Sequence, residues 1–423
     1  MMQQKQNYTL PIIVMFFLFA MISFVTGFQN PFGIILKQQL GLANWQSQLG
    51  NAANFIAYAF MGLPAGMILQ KKGYKFTSIS AVLVGFIGVA LMFASSYVED
   101  PNTIFAIYMT GAFVGGFSMC MLNTVVNPML NTLAGGGNKG NQLIQIGGSL
   151  NSLAATICPV LVGYLMGQVT QQTSLIDGRP ALMIAMGIFA LAYVVLLVSK
   201  LPEPILDALK NGEKKEEPAL KGLFQFPHYV MGVIAIFLYV GIEVGIPNMA
   251  NLYMTSTADK GGLGMDATIA GSIVGAYWFL MMIGRLVGGA IGGKVSAKAM
   301  LSAVSTAALA FIVLGIMMPS STVEIMSYTI PLNVLFFVLC GLCTSVMWGG
   351  IFNLAAEGLG KYTALASGFF MVMVCGGGLL PLLQGAVADF AGYLNSYWVL
   401  FAALCYMLFY ALVGSKVTKR AED

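Results

Sequence analysis

The sequence predicts an all-α membrane protein with twelve transmembrane helices, arranged in two pseudo-symmetric bundles of six. Three observations lead to this prediction: the composition, twelve long apolar runs, and similar features in the two halves of the chain. The 423 residues are 58% hydrophobic and 9% charged, whereas about 25% of the residues in a soluble domain are charged. Glycine accounts for 50 residues, which is typical of helices that pack closely in lipid.

Apolar runs long enough to cross the ~30 Å hydrocarbon core of a bilayer recur twelve times along the chain. The predicted spans cover residues 10–36, 46–70, 76–96, 104–130, 141–168, 180–199, 229–254, 267–291, 298–318, 328–354, 364–388 and 396–415. A stretch of mixed charge separates the sixth run from the seventh and predicts a solvated linker. We therefore divide the chain into an N-terminal six-helix half (1–200), a linker (201–227) and a C-terminal six-helix half (228–423).

The distribution of basic residues predicts the orientation of the spans. If the N-terminus lies inside, Lys37, Arg179 and Lys260 are the basic residues of the outer loops, and the other basic loop residues lie on the inner side. Lys and Arg concentrate in the cytoplasmic loops of membrane proteins. We therefore expect both termini and the linker to be cytoplasmic.

Several classes of function are not indicated. The six cysteines all fall in apolar runs and His228 is the only histidine, so neither a disulfide framework nor a metal site is expected. No nucleotide-binding loop or nucleophile–base set is recognisable, and we predict that the chain is not an enzyme and has no resident cofactor. The net charge of +4 is spread over short loops, which does not indicate a nucleic-acid partner.

The two halves contain similar basic turns after their second helices. These turns are Gly66-Met-Ile-Leu-Gln-Lys-Lys-Gly-Tyr-Lys75 and Gly289-Ala-Ile-Gly-Gly-Lys-Val-Ser-Ala-Lys298. Further motifs are Leu122-Asn-Thr-Val-Val-Asn-Pro128, Leu150-Asn-Ser152, Tyr239-Val-Gly-Ile-Glu243 and Ile283-Gly-Arg285. In order and spacing, along essentially the whole chain, they resemble the fucose/glucose–galactose permease branch of the major facilitator superfamily.

This resemblance implies the major facilitator fold, with a substrate site near the midplane between the halves. It also implies import of a monosaccharide, driven in many members by a co-transported cation. The first, fourth, seventh and tenth spans line the path in proteins that look like this. We expect a monomer in a bacterial inner membrane, with the bilayer and a small sugar as its partners.

Glu243 is the only charged residue of the apolar run over 229–254. It is expected near the bilayer centre, where an ionised carboxylate is costly unless it faces water, a partner or a proton. Gly241, Gly245 and Pro247 are expected to weaken the helix around it. We predict that Glu243 carries the coupled proton. A sodium ion held by carboxylate and amide oxygens, or a purely structural carboxyl group, are the alternatives.

Paired amides occur deep in two of the path-lining spans. Gln29 and Asn30 precede Pro31 in the first span, and Asn123 and Asn127 lie in the fourth. They are predicted to bind sugar hydroxyls, because amides at this depth are costly without a partner; the alternative is that they satisfy carbonyls freed by proline kinks. By resemblance, Asn30 and Asn123 stand where the fucose permease has acidic residues. Asn cannot exchange a proton, which leaves Glu243 as the candidate carrier.

Further substrate-binding candidates are polar or aromatic side chains of neighbouring spans. Gln145 and Asn151 resemble cavity positions of the family, and Asn248 continues the side of the seventh span that carries Glu243. Tyr277 and Trp348 are predicted to offer an aromatic surface to a sugar ring. Packing between helices is the alternative for each of them.

Two charged residues near predicted inner helix ends are expected to act in gating. Arg285 resembles a contact that holds the halves closed on the inside, and Glu357 at the matching end of the tenth span is predicted to belong to the same latch. No Lys or Arg is expected near the midplane. An anionic substrate needs a cation, so a neutral hexose or deoxyhexose is favoured over an amino sugar or a sialic-type acid. A non-transporting nutrient sensor is the alternative of another class.

Overall fold

The computed structural model describes residues 8–133, 137–166, 174–203, 206–207, 220–292, 295–318, 321–325, 328–359 and 362–421. Within these ranges, eleven helical segments are long and apolar enough to span a bilayer. One of them, Leu49–Ser95, has 47 residues and extends about 70 Å, more than twice the thickness of the hydrocarbon core. Gly73 divides it with φ 81°, a backbone conformation that glycine adopts without strain. This segment therefore supplies two spans, and the predicted twelve-helix fold is confirmed.

The spans are numbered 1 to 12 along the chain, and spans 1, 10 and 11 are each built from two helices. In order they are Thr9–Gly27 with Gln29–Leu40, the two parts of Leu49–Ser95 on either side of Gly73, Pro101–Leu133, Gly137–Met166, Arg179–Val198, Pro227–Thr255, Ala267–Ile291, Ala297–Met317, Leu332–Thr344 with Met347–Ala356, Thr363–Met373 with Gly376–Ala391, and Tyr393–Phe409, which continues as a wider turn over Tyr410–Gly414. Short helices cover Asn44–Ser47, Leu220–Leu223 and Ala258–Lys260. We call the side with the linker and the C-terminal tail the inner side, and the opposite side the outer side.

The tenth span starts later than the sequence predicts. Strand β1 (Thr322–Ile325) pairs antiparallel with strand β2 (Tyr328–Pro331) in a hairpin on the outer side, and the helix begins only at Leu332. The prediction of a helix from residue 328 was therefore wrong. Alternating Thr, Ile and Tyr residues favour a strand here, and Pro331 is suited to a helix start because it has no N–H to donate.

Span 7 is a continuous helix, and the predicted weakening around Glu243 stays a prediction. Its glycines allow close packing against span 11. A Cβ at Gly241 would lie 2.4 Å from the Cβ of Leu380, and one at Gly245 would lie 2.7 Å from Oε1 of Gln384. Pro247 removes one backbone hydrogen bond, and the tight packing on both sides keeps the helix unbroken.

Large apolar side chains cover the outside of the helical bundle. Phe390, Tyr164, Val198 and Met317 are among the most exposed of them. Such a surface is unfavourable in water and is the surface that lipid requires. Together with the twelve crossings, it makes the chain an integral membrane protein.

Spans of the two predicted halves pack directly against each other. Span 2 contacts span 11, and span 5 contacts span 8 along much of its length. At the first contact, Asn51 Nδ2 donates to the Gly377 carbonyl at 2.9 Å, and a Cβ at Gly378 would lie 2.8 Å from the Ala52 backbone. These contacts bring residues far apart in sequence to one central interface; the division at 201–227 stays a prediction.

The basic turn after span 2 is anchored on the inner side. The Glu203 carboxylate accepts hydrogen bonds from the backbone N–H groups of Tyr74 at 2.6 Å and Lys75 at 2.8 Å. The Lys75 ammonium donates to the carbonyls of Leu197 and Ser199. An acidic side chain therefore stabilises the start of span 3 and a basic one the end of span 6, as the helix dipole favours.

Candidate substrate and coupling site

Glu243 forms an ion pair with Arg285 in the centre of the molecule. Nη2 of Arg285 lies 3.3 Å from Oε1 of Glu243, and the two side chains are only 13% and 15% exposed. Each charge therefore compensates the other in a place where a single one would be costly. The expectation that no Lys or Arg lies near the midplane was wrong. The long Arg285 side chain turns toward span 7 because its guanidinium is attracted by the Glu243 carboxylate.

Arg285 also contacts span 5, in the other half of the chain. Its Nη1 donates to the Gly148 carbonyl at 2.8 Å and to the Ser152 hydroxyl at 2.9 Å. The guanidinium can make these bonds and the Glu243 contact together because its N–H groups form a planar fork. Arg285 thus connects spans 5, 7 and 8, as a gating contact between the halves requires, and its role in gating stays a prediction.

Two aromatic side chains lie beside this ion pair. The Tyr239 hydroxyl is next to the Glu243 carboxylate and the Arg285 guanidinium, and its ring lies 6.1 Å from that of Trp348, tilted by 54°. Trp348 is only partly buried. Trp348 therefore remains available as the predicted aromatic surface, and Tyr239 lies between it and the ion pair. Tyr239 was not among the predicted site residues, although it lies one helical turn before Glu243.

Tyr277 is placed differently from its prediction. Its side chain is 1% exposed, and its hydroxyl lies 3.1 Å from the Glu243 carbonyl and 3.0 Å from Oγ1 of Thr344. The ring packs edge-on against Trp278. Because this side chain is enclosed within the C-terminal half, it offers no free face to a sugar, and in this structure the prediction of a stacking surface was wrong for Tyr277.

The asparagines of spans 4 and 5 form hydrogen bonds within the N-terminal half. Asn123 donates to the Tyr58 hydroxyl at 2.9 Å and Asn127 to the Asn123 carbonyl at 3.2 Å, and both side chains stay partly exposed. Asn151 accepts from Ser23 and donates to the Phe19 carbonyl, which ties span 5 to span 1. Asn151 thus has both polar groups engaged in packing, whereas Asn123 and Asn127 retain partly exposed amides. Their roles in binding stay predictions.

Three predicted ligands cannot be compared with the structure. The side chains of Gln29, Asn30 and Gln145 lie outside the part of the chain that is described. The backbone around the first two is described: the helix of span 1 ends at Gly27 and a second helix starts at Gln29. The break lies close to Pro31, which cannot donate a hydrogen bond to the preceding turn.

Glu357 does not join Arg285 in a latch. Its carboxylate pairs with Arg420 of the C-terminal tail at 3.2 Å, and both side chains are exposed. Glu357 lies at the inner end of span 10, whereas Arg285 turns toward the centre of the bundle. The prediction of one shared latch was therefore wrong. An exposed pair of this kind contributes little to stability.

A polar network closes the outer side between the two halves, and the sequence analysis missed it. The Lys37 ammonium donates to the side chain of Asn44, to the Ser256 hydroxyl at 3.0 Å and to the Tyr393 hydroxyl at 3.1 Å. The Tyr393 hydroxyl also bonds Asn44 and Ser256. Lys37 and Asn44 belong to the N-terminal half, Ser256 and Tyr393 to the C-terminal half. These four residues are referred to below as the outer network.

Two further contacts extend this closure. Asp389 accepts hydrogen bonds from the backbone N–H groups of Asn44 and Trp45 at 2.9 and 3.0 Å. Asn248 is buried and donates to Oε1 of Gln48 at 3.2 Å. Asn248 therefore lies in the outer closure in this structure. The isolated basic residue in the first outer loop was the sequence signal that could have indicated the outer network.

A metal site is not apparent in the described part of the chain. No group of three or more His, Cys, Asp or Glu side chains is arranged there to hold a metal ion. The central chemistry available is that of one carboxyl group, one guanidinium, a phenol and several amides. Such a set can bind neutral hydroxyl compounds and exchange one proton.

Comparison with known proteins gives a consistent result. The family model described as Major Facilitator Superfamily matches residues 15–382. The glucose/galactose transporter of Brucella abortus is 29% identical over 417 residues, which cover 97% of this chain and 96% of that protein. The L-fucose–proton symporter of Escherichia coli is 22% identical over 96% of this chain and 93% of its own length. The crystal structure of FucP in the outward conformation matches with a TM-score of 0.69 and 20% identity, over 97% of this chain and all of that one. These matches confirm the resemblance inferred from the sequence motifs.

Proposed function

The chain belongs to the Major Facilitator Superfamily, and we propose that it imports a neutral monosaccharide by alternating access to a site between its two halves. The observation that carries this proposal is the similarity, over nearly the full length of both chains, to a protein named as a glucose/galactose transporter. A second relative is named for L-fucose. We therefore limit the substrate to the class of neutral hexoses and deoxyhexoses. The relatives are named as transporters, which agrees with the prediction that the chain is not an enzyme.

The central cluster, formed by Glu243, Arg285 and Tyr239, has balanced charge, and this supports a neutral substrate. Arg285 could bind an acidic sugar if it were free, but its charge is matched by Glu243. An anion would have to compete with this carboxylate for the guanidinium. A sugar hydroxyl can instead donate to the carboxylate or accept from the guanidinium without adding charge. The acidic-sugar alternative is therefore disfavoured.

We propose that a proton carried by Glu243 drives the transport. The carboxyl group is the one acidic side chain of the central cluster, it lies in a membrane-spanning helix, and it is partly accessible. It can therefore gain and lose a proton as the site opens to either side. Sodium coupling is the alternative. The distribution of basic residues and the bacterial relatives support placement in a bacterial inner membrane with cytoplasmic termini.

A transport assay with the purified protein tests this proposal. Proteoliposomes would be given labelled glucose, galactose or fucose with an inward proton gradient, an inward sodium gradient, or neither. We expect uptake above the equilibrium level of at least one of these sugars with the proton gradient alone. Accumulation that requires sodium would refute proton coupling. Absence of sugar movement in all three conditions would refute the transport proposal and favour the sensor alternative.

Replacement of Trp348 by Ala is expected to weaken sugar binding. Its partly exposed ring lies 6.1 Å from the ring of Tyr239, whose hydroxyl is next to the ion pair, and loss of one aromatic contact costs about 0.5–1.5 kcal/mol. This corresponds to roughly a two- to tenfold increase in the sugar concentration that gives half-maximal exchange. Trp398→Ala is the matched control, because this tryptophan of span 12 is exposed on the helical bundle. Equal effects of the two substitutions would exclude Trp348 as a sugar contact.

A further inference from the structure

We propose that Arg285 is the positioning residue that makes the protonation of Glu243 depend on the arrangement of the two halves. This inference rests on the proposed coupling role of Glu243 and adds how proton uptake is linked to movement. It joins two predictions, a gating arginine and a coupling carboxylate, that the sequence treats as separate. The structure places both functions on one guanidinium group.

The two ends of the Arg285 fork bind different parts of the molecule. Nη2 contacts the Glu243 carboxylate of span 7, in the same half. Nη1 donates to the carbonyl of Gly148 and the hydroxyl of Ser152, in span 5 of the other half. A Cβ at Gly148 would lie 3.5 Å from Nη1, which is an ordinary contact distance. The backbone of span 5 therefore lies directly beside the guanidinium.

The rocking of the halves would change the position of this fork. Alternating access requires spans 5 and 8 to move relative to each other, and such movement stretches or relaxes the bonds to Gly148 and Ser152. With the guanidinium beside it, Glu243 is stabilised as a carboxylate. When the guanidinium is drawn away, the carboxyl group lies uncompensated in a poorly solvated region, where its protonated form is favoured. The half that contains span 5 therefore controls the counter-charge of Glu243.

The coupling between proton binding and movement also acts in the opposite direction. If the arrangement of the halves alters proton binding, proton binding must alter the arrangement of the halves by the same free energy. Neutralising Glu243 removes the partner of Nη2 and changes the energy of the contact with span 5. Proton binding at Glu243 and the opening of the site are thus linked through Arg285 alone.

The other groups around Glu243 do not offer an alternative counter-charge. Tyr239 of the same span and Tyr277 of span 8 face it with hydroxyl groups, and Cys340 of span 10 lies behind Tyr277. Span 5 contributes the neutral groups of Gly148 and Ser152. Among the described residues packed around the carboxylate, Arg285 is the one that carries a charge at neutral pH.

The test compares Arg285→Gln with the wild type in proteoliposomes. We expect uphill accumulation to fall to a ratio of about one, while sugar exchange at equal concentrations on both sides becomes slower and stays measurable. The pH at which exchange is half-maximal should rise by at least about 1 unit, because Glu243 without a neighbouring cation keeps its proton to higher pH. A purely structural role would not move this pH. Arg420→Gln is the matched control, since Arg420 forms an exposed pair with Glu357 at 3.2 Å.

Arg285→Lys separates the charge from the fork. An ammonium group restores the counter-charge, so the half-maximal pH should return toward the wild-type value. It cannot bond span 5 and span 7 with the geometry of a guanidinium, so accumulation should stay below one third of the wild-type ratio. Full restoration of accumulation by Lys would overturn the role of the cross-half fork. Restoration of neither property would overturn the role of the charge.

The outcomes also separate this inference from the proposed function. If Glu243→Gln abolishes accumulation while Arg285→Gln matches the Arg420→Gln control in accumulation and half-maximal pH, the coupling role of Glu243 stands and the role of Arg285 is refuted. If the Arg285→Gln protein does not fold, the Ser152→Ala variant tests the inference instead. This variant loses the hydrogen bond between the Arg285 guanidinium and the Ser152 hydroxyl of span 5. The guanidinium then stays beside Glu243 for longer, so the pH at which exchange is half-maximal should fall. An unchanged half-maximal pH in Ser152→Ala would refute the inference.

Discussion

Replacement of Glu243 by Gln is expected to abolish uphill accumulation of sugar while exchange across the membrane continues. Gln has nearly the same shape but cannot carry a proton. One proton moving through a potential of 100 mV supplies about 2.3 kcal/mol, which sustains a concentration ratio of about 50. In the variant this ratio should fall to about one. Labelled sugar in proteoliposomes, measured with and without a proton gradient, gives the ratio directly.

The remaining Arg285 need not abolish sugar movement in this variant. Its Nη1 keeps the bonds to Gly148 and Ser152, and the amide oxygen of a Gln at position 243 can accept from Nη2. Glu357→Gln is the matched control, because it makes the same chemical change in an exposed ion pair. A Glu243→Gln protein that still concentrates sugar against its gradient would show that another group carries the coupled cation.

The fold could be predicted almost completely because the residues of each span and its adjacent turns are sufficient to identify that span. A run of about 20 apolar residues must be helical in lipid, and the basic turns before Lys75 and Lys298 predicted where the chain reverses on the inner side. The hairpin before Leu332 was missed because apolar residues such as Ile330 extend the hydropathy signal of the helix that follows. Hydropathy does not distinguish a short strand from the first turn of a helix.

The candidate site could be predicted only in part because it depends on contacts between helices. Depth along a span identified Glu243, but depth does not tell which way a long side chain turns. Arg285 was assigned to the inner interface, where arginine often extends, yet a carboxylate on span 7 and two oxygen acceptors on span 5 hold it in the centre. Tyr277 illustrates the same limit, since its orientation is set by Thr344 of another span. Such pairings are not readable from the periodicity of one helix.

The outer network shows how a single cation can join two halves without an acidic partner. Lys37 is held by neutral oxygens of Asn44, Ser256 and Tyr393, and the Tyr393 ring lies 5.6 Å from its ammonium. Neutral acceptors bind an ammonium less strongly than a carboxylate does. A closure of this kind is weaker than one made by an ion pair, which suits a transporter that has to open its outer side again.

Replacement of Lys37 by Met is expected to shift the protein toward an outward-open state. The variant loses the ammonium that bonds Ser256 and Tyr393 of the opposite half. Hydrogen bonds to charged groups contribute about 1.5–3 kcal/mol when buried, and we take about 1–1.4 kcal/mol because Lys37 is only partly buried. The ratio of outward-open to outward-closed molecules should then rise about five- to tenfold. Asn248, buried in the closure, is suited to report this opening when replaced by Cys.

In intact cells, a membrane-impermeant maleimide should label this Cys about five- to tenfold faster in the Lys37→Met protein. Cys405→Ser removes the exposed native thiol, and the other five cysteines are buried. Lys260→Met is the matched control, since Lys260 is an exposed lysine of the short outer helix Ala258–Lys260 and is not a member of the outer network. The same labelling rate in both variants would mean that Lys37 does not hold the outer side closed. The closure would then rest on the packing of span 2 against span 11, where the Ala52 backbone and Gly378 lie in contact.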